Sequence, residues 1–304
     1  MLLAVSAIGL TMWNHPTLRL IREVEGLGGW VKTIPGGPDW LRDLLGDDYG
    51  RIFDKVISIS VSGPQVTDDL LPYFQEMTEL GMLSLFDTSV SDVGLKHLSG
   101  LTNLGFLYLS DTPVSDNGLA HLSGLSNLEW LSLDGTKVSD AGMAHLIHLP
   151  RLERLFLYRT QVGDVGLRHL KELPSLRTLL IGESKVTDAG LVHVKHMTQL
   201  EYLNLRANNV TDEGLVHLQN LTNLSVLSLN ETKATDAGLV HLKRMANMSS
   251  LHLHSLQVSD AGLEHLKDLT KLRSLTIYDT NTTANGIARL KQALPDLDIV
   301  TTRP

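Results

Sequence analysis

The sequence contains no cysteine. This absence excludes disulfide bridges, thiol catalysis and thiolate metal ligands, and it argues against a secreted repeat protein that depends on disulfides. Basic residues are also few, because 26 lysines and arginines stand against 34 acidic residues and give a formal net charge of −8. Since a nucleic-acid backbone selects a clustered basic surface, we expect no nucleic-acid partner.

Long hydrophobic runs are absent as well. The most apolar stretch, residues 1–13 (MLLAVSAIGLTMW), is shorter than the roughly 20 residues that a helix needs to span a bilayer. It also lacks the basic start of a signal peptide. Two interpretations stay open: the end of a longer membrane anchor, or a buried or frayed terminal helix. We therefore expect the protein to be cytoplasmic or tethered to a membrane, and Arg19 and Arg22 favour the cytoplasmic side for the rest of the chain if the segment inserts.

Motifs of catalysis and cofactor binding are missing too. The glycines at 26–29 belong neither to a G-x-x-x-x-G-K-[ST] phosphate loop nor to the three-glycine dinucleotide pattern, and neither G-x-S-x-G nor H-E-x-x-H occurs. We expect no enzyme, no catalytic residue, no cofactor and no metal.

What the chain does contain is a 24-residue repeat that runs in unbroken register from about Ile57 to Asn281. Its first strand leucine recurs at Leu83, Leu107, Leu131, Leu155, Leu179, Leu203, Leu227, Leu251 and Leu275. A fixed period of this length indicates units that stack on their neighbours and bury a shared core.

Each repeat changes its hydrophobic period once. Residues 130–134 alternate with period two, which predicts a short strand with its leucines buried, and apolar residues three apart from Asp140 onwards predict a short helix. Short hydroxyl or amide side chains occupy the corner between them and suit a tight turn: Thr88, Thr112, Thr136, Thr160, Ser184, Asn208, Thr232 and Thr280.

The consensus LxxLxLxxTxVxDxGLxHLxxL resembles the leucine-rich repeat, in its 24-residue bacterial type, over about four-fifths of the chain. The resemblance implies an α/β fold: a right-handed solenoid of about ten turns, with parallel strands on the concave face and short helices on the convex face. It also implies the binding of another macromolecule and not catalysis.

The repeats, residues 56–281, are expected between two end pieces. Residues 14–55 should form a helical cap with one helix from Thr17 to Glu25 and another from Asp39 to Leu45. Residues 282–304 should form the C-terminal remainder and cap, with one last short strand. The first repeat would be covered by Trp30, Trp40, Leu41, Leu44, Leu45, Tyr49, Ile52 and Phe53.

Two polar columns recur on the helices. We predict that the histidines are half-buried neutral rings that bond a neighbouring repeat, which would make unfolding easier below about pH 6: His97, His121, His145, His169, His193, His217, His241 and His265. The aspartates are predicted to cap their own helices, with the preceding residue, such as Ser139 before Asp140, as the alternative cap, and not to bind calcium: Asp68, Asp92, Asp116, Asp140, Asp164, Asp188, Asp212, Asp236 and Asp260.

Function should then lie where the repeat leaves the sequence free, at the outward strand positions. Eight of the fifteen aromatic residues lie among these thirty positions, a share far above that of random placement. Aromatic and arginine side chains supply the buried anchors of interfaces, although aromatic residues also stack across strands for stability alone. The candidate binding residues are Phe86, Phe106, Tyr108, Trp130, Arg154, Phe156, Tyr158, Tyr202 and Arg206, with Asp87, Asp111, Arg159 and Glu183 as a charged rim.

These patterns leave three functional classes. We expect a noncatalytic protein-interaction scaffold, monomeric, that binds another protein through this aromatic patch. One alternative is the substrate receptor of a ubiquitin ligase, because the repeat also resembles that of F-box proteins, but residues 16–55 lack the Leu-Pro start of an F-box helix pair. The other is an enzyme, for which no nucleophile, base or metal constellation is found.

Overall fold

A computed structural model describes residues 15–303, so the apolar segment 1–13 and the predictions made for it lie outside the described residues. The chain divides into two compact units, Met1–Ser132 and Leu133–Pro304. Within residues 15–303, no helix combines the length and hydrophobicity that crossing a bilayer requires.

The first unit carries the N-terminal cap and the early repeats. Its elements are helix α1 (Pro16–Gly26), strand β1 (Trp30–Ile34), helix α2 (Asp39–Gly50), strands β2 (Lys55–Ser60) and β3 (Met82–Ser84), helix α3 (Asp92–Leu95), strand β4 (Phe106–Tyr108), helix α4 (Asp116–Leu119) and strand β5 (Trp130–Ser132). Short 3₁₀ helices cover Arg51–Phe53, Asp68–Phe74, Lys96–Leu98 and Ala120–Leu122.

The second unit carries the remaining repeats. Its elements are α5 (Asp140–Leu146), β6 (Arg154–Phe156), α6 (Asp164–Leu170), β7 (Thr178–Leu180), α7 (Asp188–Val194), β8 (Tyr202–Asn204), α8 (Asp212–Leu215), β9 (Val226–Ser228), α9 (Asp236–Leu239), β10 (Ser250–His252), α10 (Asp260–Glu264), β11 (Ser274–Thr276), α11 (Ala284–Ala293) and β12 (Asp298–Val300). Val216–Leu218 and Val240–Leu242 are 3₁₀ helices.

Strands from successive repeats pair in parallel with a constant offset of one repeat. Leu83 lies opposite Leu107 in the first unit, and Leu179 lies opposite Leu203 in the second. These leucines are fully buried, as are the inward-facing apolar residues of the helices, for example Leu191 and Val194. The chain is therefore an α/β leucine-rich-repeat solenoid, as predicted, and the predicted last strand is β12.

The N-terminal cap differs from the prediction in two ways. Residues Trp30–Ile34 form a strand that pairs antiparallel with β2, where no strand was predicted. The open end of the first repeat is covered by α1, whose Leu20, Ile21 and Val24 are buried, whereas Trp30, Trp40 and Leu44 are exposed. The prediction that those three side chains cover the core was wrong, because the amphipathic helix that precedes them already fills that position.

The corner residues act as predicted. The hydroxyl of Thr88 donates to the Leu85 carbonyl over 2.8 Å, and the same bond recurs from Thr112 to Leu109 and from Thr232 to Leu229. Asn208 replaces the hydroxyl with an amide whose Nδ2 donates to the Ile181 carbonyl over 2.7 Å. Because these side chains are buried, the bonds satisfy backbone carbonyls that water cannot reach.

The aspartate column corrects the prediction of self-capping. The caps are the preceding hydroxyl residues, such as Thr187, whose Oγ1 accepts from the Ala189 amide. Aspartates such as Asp188 instead reach the next repeat: Asp188 Oδ1 accepts from the Thr211 amide over 2.8 Å and Oδ2 from the Thr211 hydroxyl over 2.7 Å. The column therefore joins one repeat to the next. Among the side chains that the structure describes, those of residues 15–46 and 50–303, no group of three or more possible metal ligands is close enough to share an ion.

A recurring glycine in the helices leaves room for this contact between repeats. A Cβ added at Gly214 would lie 2.3 Å from Asp188 Oδ1, and one at Gly238 would lie 2.4 Å from Asp212 Oδ1. The aspartate of one repeat therefore occupies the space that a side chain in the next helix would need. Sequence reasoning noted these glycines but missed their partner, since it lies a full repeat away.

The histidine column is half-buried as predicted, except at the exposed His121. The His97 ring bonds the Gln75 side chain of the preceding repeat. Burial, with Lys171 and Arg168 nearby, lowers the pKa of His193 below its ordinary value. A neutral ring is thus favoured at His193, in agreement with the prediction.

Candidate partner-binding surface

The outward face of the first unit's strands carries a contiguous group of aromatic rings. Phe106 lies opposite Trp130 in the sheet, and their ring centroids are 6.4 Å apart. The Tyr108 and Trp130 centroids are 5.8 Å apart. Phe86, just beyond β3, is 48% exposed, and Phe106 is 39% exposed. We call Phe86, Phe106, Tyr108 and Trp130 the aromatic surface of the first unit.

Sequence reasoning missed one further aromatic residue on this face. Trp30 of β1 lies opposite Ser60, and directly paired strand residues point to the same side of a sheet. Ser60 and Ser84, between Trp30 and the rings of β4, present only small side chains. The outward face therefore carries two serines, Ser60 and Ser84, with Trp30 on one side and the aromatic rings of β4 on the other. The alternation of WVKTI was the available signal, but these residues lie outside the 24-residue register.

In the second unit, the candidates on the strands form two rows. Strand register places Arg154 and Tyr202 on either side of Thr178. Phe156 lies one row further along, opposite Leu180. Arg154 is exposed, whereas Phe156 and Tyr202 are half-buried.

Tyr158 lies two residues beyond β6 and covers a glycine. A Cβ added at Gly182 would lie 2.8 Å from Tyr158 Cε2, so the ring occupies the space above that residue. The Tyr158 hydroxyl donates to the Glu183 carboxylate. Burial first, and then this bond to Glu183, raises the pKa of Tyr158 above its ordinary value.

Arg206 is more constrained than an edge cation. Its Nη2 lies 2.9 Å from Glu231 Oε1 and 3.9 Å from Glu183 Oε1, and its Nε donates to Glu231 over 3.1 Å. The guanidinium thus links two carboxylates from neighbouring repeats, one of which also receives the Tyr158 hydroxyl. Because these charged contacts are half-exposed, they orient Tyr158 and Arg206 but add little to the free energy of folding.

The later repeats hold a second group, which sequence reasoning did not include among the candidate binding residues. The rings of His254 and Tyr278 are stacked with centroids 4.4 Å apart and planes 9° apart. They line an open cavity of about 340 Å³ together with Arg206, Glu231, Ser255 and Arg303. His252 bonds the Ser250 and Thr276 hydroxyls at 3.1 and 3.2 Å. The sequence signal was the pair of histidines two apart on one strand, which places both rings on one face.

These two histidines predict a pH dependence of folding. Burial lowers the pKa of His252, and burial with Arg206 and His252 nearby lowers the pKa of His254. The unfolded chain therefore binds protons first, so stability is fully present above an unfolded pKa of about 6.5 and is lost as pH falls through the folded pKa values. We expect the urea midpoint to fall between pH 7.5 and 5.5, and to fall less in the His252→Gln/His254→Gln variant.

His121→Gln is the matched control, because this ring is exposed. The control should keep the full pH dependence of the wild type. Equal losses in the wild type and the double variant would show that the strand-face histidines do not cause it.

Comparisons with known proteins agree on the fold. The sequence matches no protein-family model. It also matches no curated protein. Among solved structures, an internalin, InlF, from Listeria monocytogenes aligns with a TM-score of 0.55 at 21% identity, covering 87% of this chain and 94% of that chain. A TDR receptor aligns with a TM-score of 0.53 at 18% identity, covering 82% of this chain and 47% of that chain. Such similarity shows the fold, and with the observed repeats it makes this chain a leucine-rich-repeat protein.

Proposed function

We propose that this chain is a noncatalytic protein-interaction scaffold that binds another protein through aromatic side chains on the outward strand face of its repeats. The supporting observation is the exposure of large aromatic residues where the repeat demands none. Phe86 and Phe106 are 48% and 39% exposed, while every strand leucine of the repeat is buried. Burial in the core explains why the leucines recur, but it does not explain why Phe86 and Phe106 are exposed.

The geometry suits binding by a preformed surface. Aromatic and arginine side chains dominate the energetics of interfaces, and side chains held on strands lose little freedom on binding. The rim is also fixed, because Asp87, Asp111, Arg159 and Glu183 have φ values between 49° and 56° and close the strand-to-helix corner. Charged groups at such fixed positions would select a partner of complementary charge.

The competing explanation is that the rings only stabilise the sheet. The contacts of Trp130 with Phe106 and Tyr108 fit that explanation, but they leave the exposure of Phe86 without a cause. The ubiquitin-ligase alternative gains no support from the cap, because β1 separates α1 from α2 and joins the repeat sheet. No observation favours an enzyme.

Affinity capture from lysate of the source organism tests the proposal. The baits are the full chain, Phe86→Ala/Phe106→Ala in the first unit, and Arg154→Ala/Tyr202→Ala in the second. The matched control is Val93→Ala/Val165→Ala, because these valines are 62% and 45% exposed on the helix side. We expect a protein that the wild type and the control retain and at least one strand-face variant loses by about tenfold or more.

All baits must first show wild-type circular dichroism and urea midpoints. If the strand-face variants retain the same proteins as the wild type, the aromatic surface serves packing alone. If the control loses the partner instead, binding lies on the helix side.

A further inference from the structure

The N-terminal cap exposes an unusual amount of apolar surface. Within the described residues, nine large apolar side chains are exposed, and four of them fall in one short stretch: Trp30, Ile34, Trp40 and Leu44. Trp40 and Leu44 are the most exposed of the nine, at 67% and 73%. Exposed apolar surface of this kind marks an interaction site. Trp30 lies on the strand face opposite Ser60, whereas Ile34 is at the other end of β1 and Trp40 and Leu44 are on α2.

A group of polar contacts on the inner side of the cap fixes α2 so that these side chains stay exposed. We call this group the anchor. The Asp54 carboxylate, 5% exposed, accepts from Arg42 of α2 over 2.5 Å and from the Thr33 hydroxyl of β1 over 2.9 Å. Arg42 also donates to the carbonyl of Gly36 over 3.1 Å. Trp40 and Leu44 are four residues apart on α2 and so share one face of that helix. The anchor holds α2 through Arg42, on a different side of the helix. The face with Trp40 and Leu44 therefore has no partner in the described chain.

The chain that precedes the cap is the second observation. Residues 1–14 contain no charged residue. They lead into His15, which lines a cavity of about 300 Å³ with Asp54 and Lys55. Lys55 is also the strand partner of Ile34, and Asp54 is the anchor of α2. His15, the residue that follows this uncharged stretch in the sequence, thus lies beside the elements that carry the exposed apolar side chains.

The charged residues near the exposed apolar side chains indicate which kind of partner this surface fits. The exposed charged residues of the stretch are Lys32, Asp39 and Asp43, which give no basic cluster. Peripheral binding to anionic lipids depends on such clusters. Tryptophan, in contrast, prefers the interface between headgroups and acyl chains whatever the lipid charge. The surface therefore fits an electrically neutral lipid interface.

We propose that α2 and the adjoining end of β1 dock on a zwitterionic lipid bilayer, with Trp40 and Leu44 inserted at the level of the headgroups. The docked cap holds the repeats beside the membrane and leaves their strand faces available for a partner. This contact is independent of the aromatic surface, since no residue of that surface takes part.

The absence of cysteine permits a clean test. The full chain is prepared with a single Leu44→Cys or, as the matched control, Val93→Cys, which replaces a side chain of similar exposure on α3. Each is labelled with an environment-sensitive fluorophore and titrated with phosphatidylcholine vesicles. We expect the fluorescence at position 44 to rise by about threefold or more, with quenching by spin-labelled lipid, and no change at position 93. Adding Trp40→Ser to the Leu44→Cys chain should weaken vesicle binding about tenfold.

Three results would overturn the proposal. First, if the label at position 44 stays in water while the chain sediments with vesicles, other residues bind the lipid. Second, if its fluorescence changes with protein concentration in the absence of lipid, a second copy of the chain occupies this surface. Third, if it responds only to vesicles that contain anionic lipid, the interface is not the neutral one proposed.

Discussion

Adding one methyl group to Gly214 is expected to destabilise the second unit by about 3 kcal/mol or more. Alanine at an exposed helical position normally stabilises a protein by up to about 1 kcal/mol relative to glycine. Here the sign reverses, because the new Cβ would lie 2.3 Å from Asp188 Oδ1 and 3.0 Å from Leu191 Cδ1. The carboxylate would have to leave Thr211, and the stacking of two repeats would loosen. The measurement is urea unfolding of Gly214→Ala beside the wild type.

Gly26→Ala is the control, since this glycine also lies in a helix, as the last residue of α1, and an added Cβ there meets nothing within 4 Å. The control should leave the unfolding midpoint unchanged or raise it slightly. Equal midpoints for the wild type and Gly214→Ala would show that the repeats have room to separate. The glycine column would then reflect helix geometry alone.

Asp188→Ala is expected to cost about 3 kcal/mol by a different route. The substitution creates no clash but leaves both the Thr211 amide and the Thr211 hydroxyl without their acceptor. The hydroxyl matters twice, because Thr211 Oγ1 also accepts from the Glu213 amide and caps α8. Once the carboxylate is gone, nothing orients the cap. Urea unfolding again gives the change in free energy.

Two further variants locate the effect. Asp188→Asn keeps one oxygen acceptor and should lose only about half as much stability. Asp268→Ala removes an exposed carboxylate outside the column and should change the free energy of unfolding by less than about 0.5 kcal/mol. If Asp268→Ala and Asp188→Ala cost the same, the column would be a set of solvated surface charges.

The repeat itself was predictable, because its information is local and repeated. The period placed every strand leucine in the core and every corner hydroxyl on a nearby carbonyl, as Thr88 and Leu85 illustrate. A column that recurs in nearly every repeat, with Leu256 as a departure among the corner residues, reduces the uncertainty of any single residue. The same reasoning explains why the aromatic residues at free positions stood out.

Contacts between repeats were not predictable in the same way. Asp188 could have capped its own helix, and only the structure shows that Thr187 does so and leaves the carboxylate free to bond Thr211. The stack of His254 on Tyr278 likewise joins side chains 24 residues apart. Sequence patterns give the face of a residue but not the partner that it meets on that face.

Both cap helices begin within one residue of the predicted positions, but β1 escaped prediction because nothing repeats there. The five residues of β1 are too short for a secure pattern, and their pairing with β2 depends on the repeat sheet being present. Hydrophobicity alone assigned Trp40 and Leu44 to the core. The structure shows them exposed, since α1 had already filled the end of the first repeat.

Site-specific photocrosslinking tests most directly the claim that buried columns fold the chain while outward strand residues bind its partner. A photoreactive phenylalanine analogue replaces Phe106 in one protein and Val93 in another, and each is irradiated in lysate of the source organism. We predict an adduct with a partner protein from position 106 and none from position 93, with unchanged unfolding midpoints for both. Equal adducts from both positions, or an adduct from position 93 alone, would contradict the account.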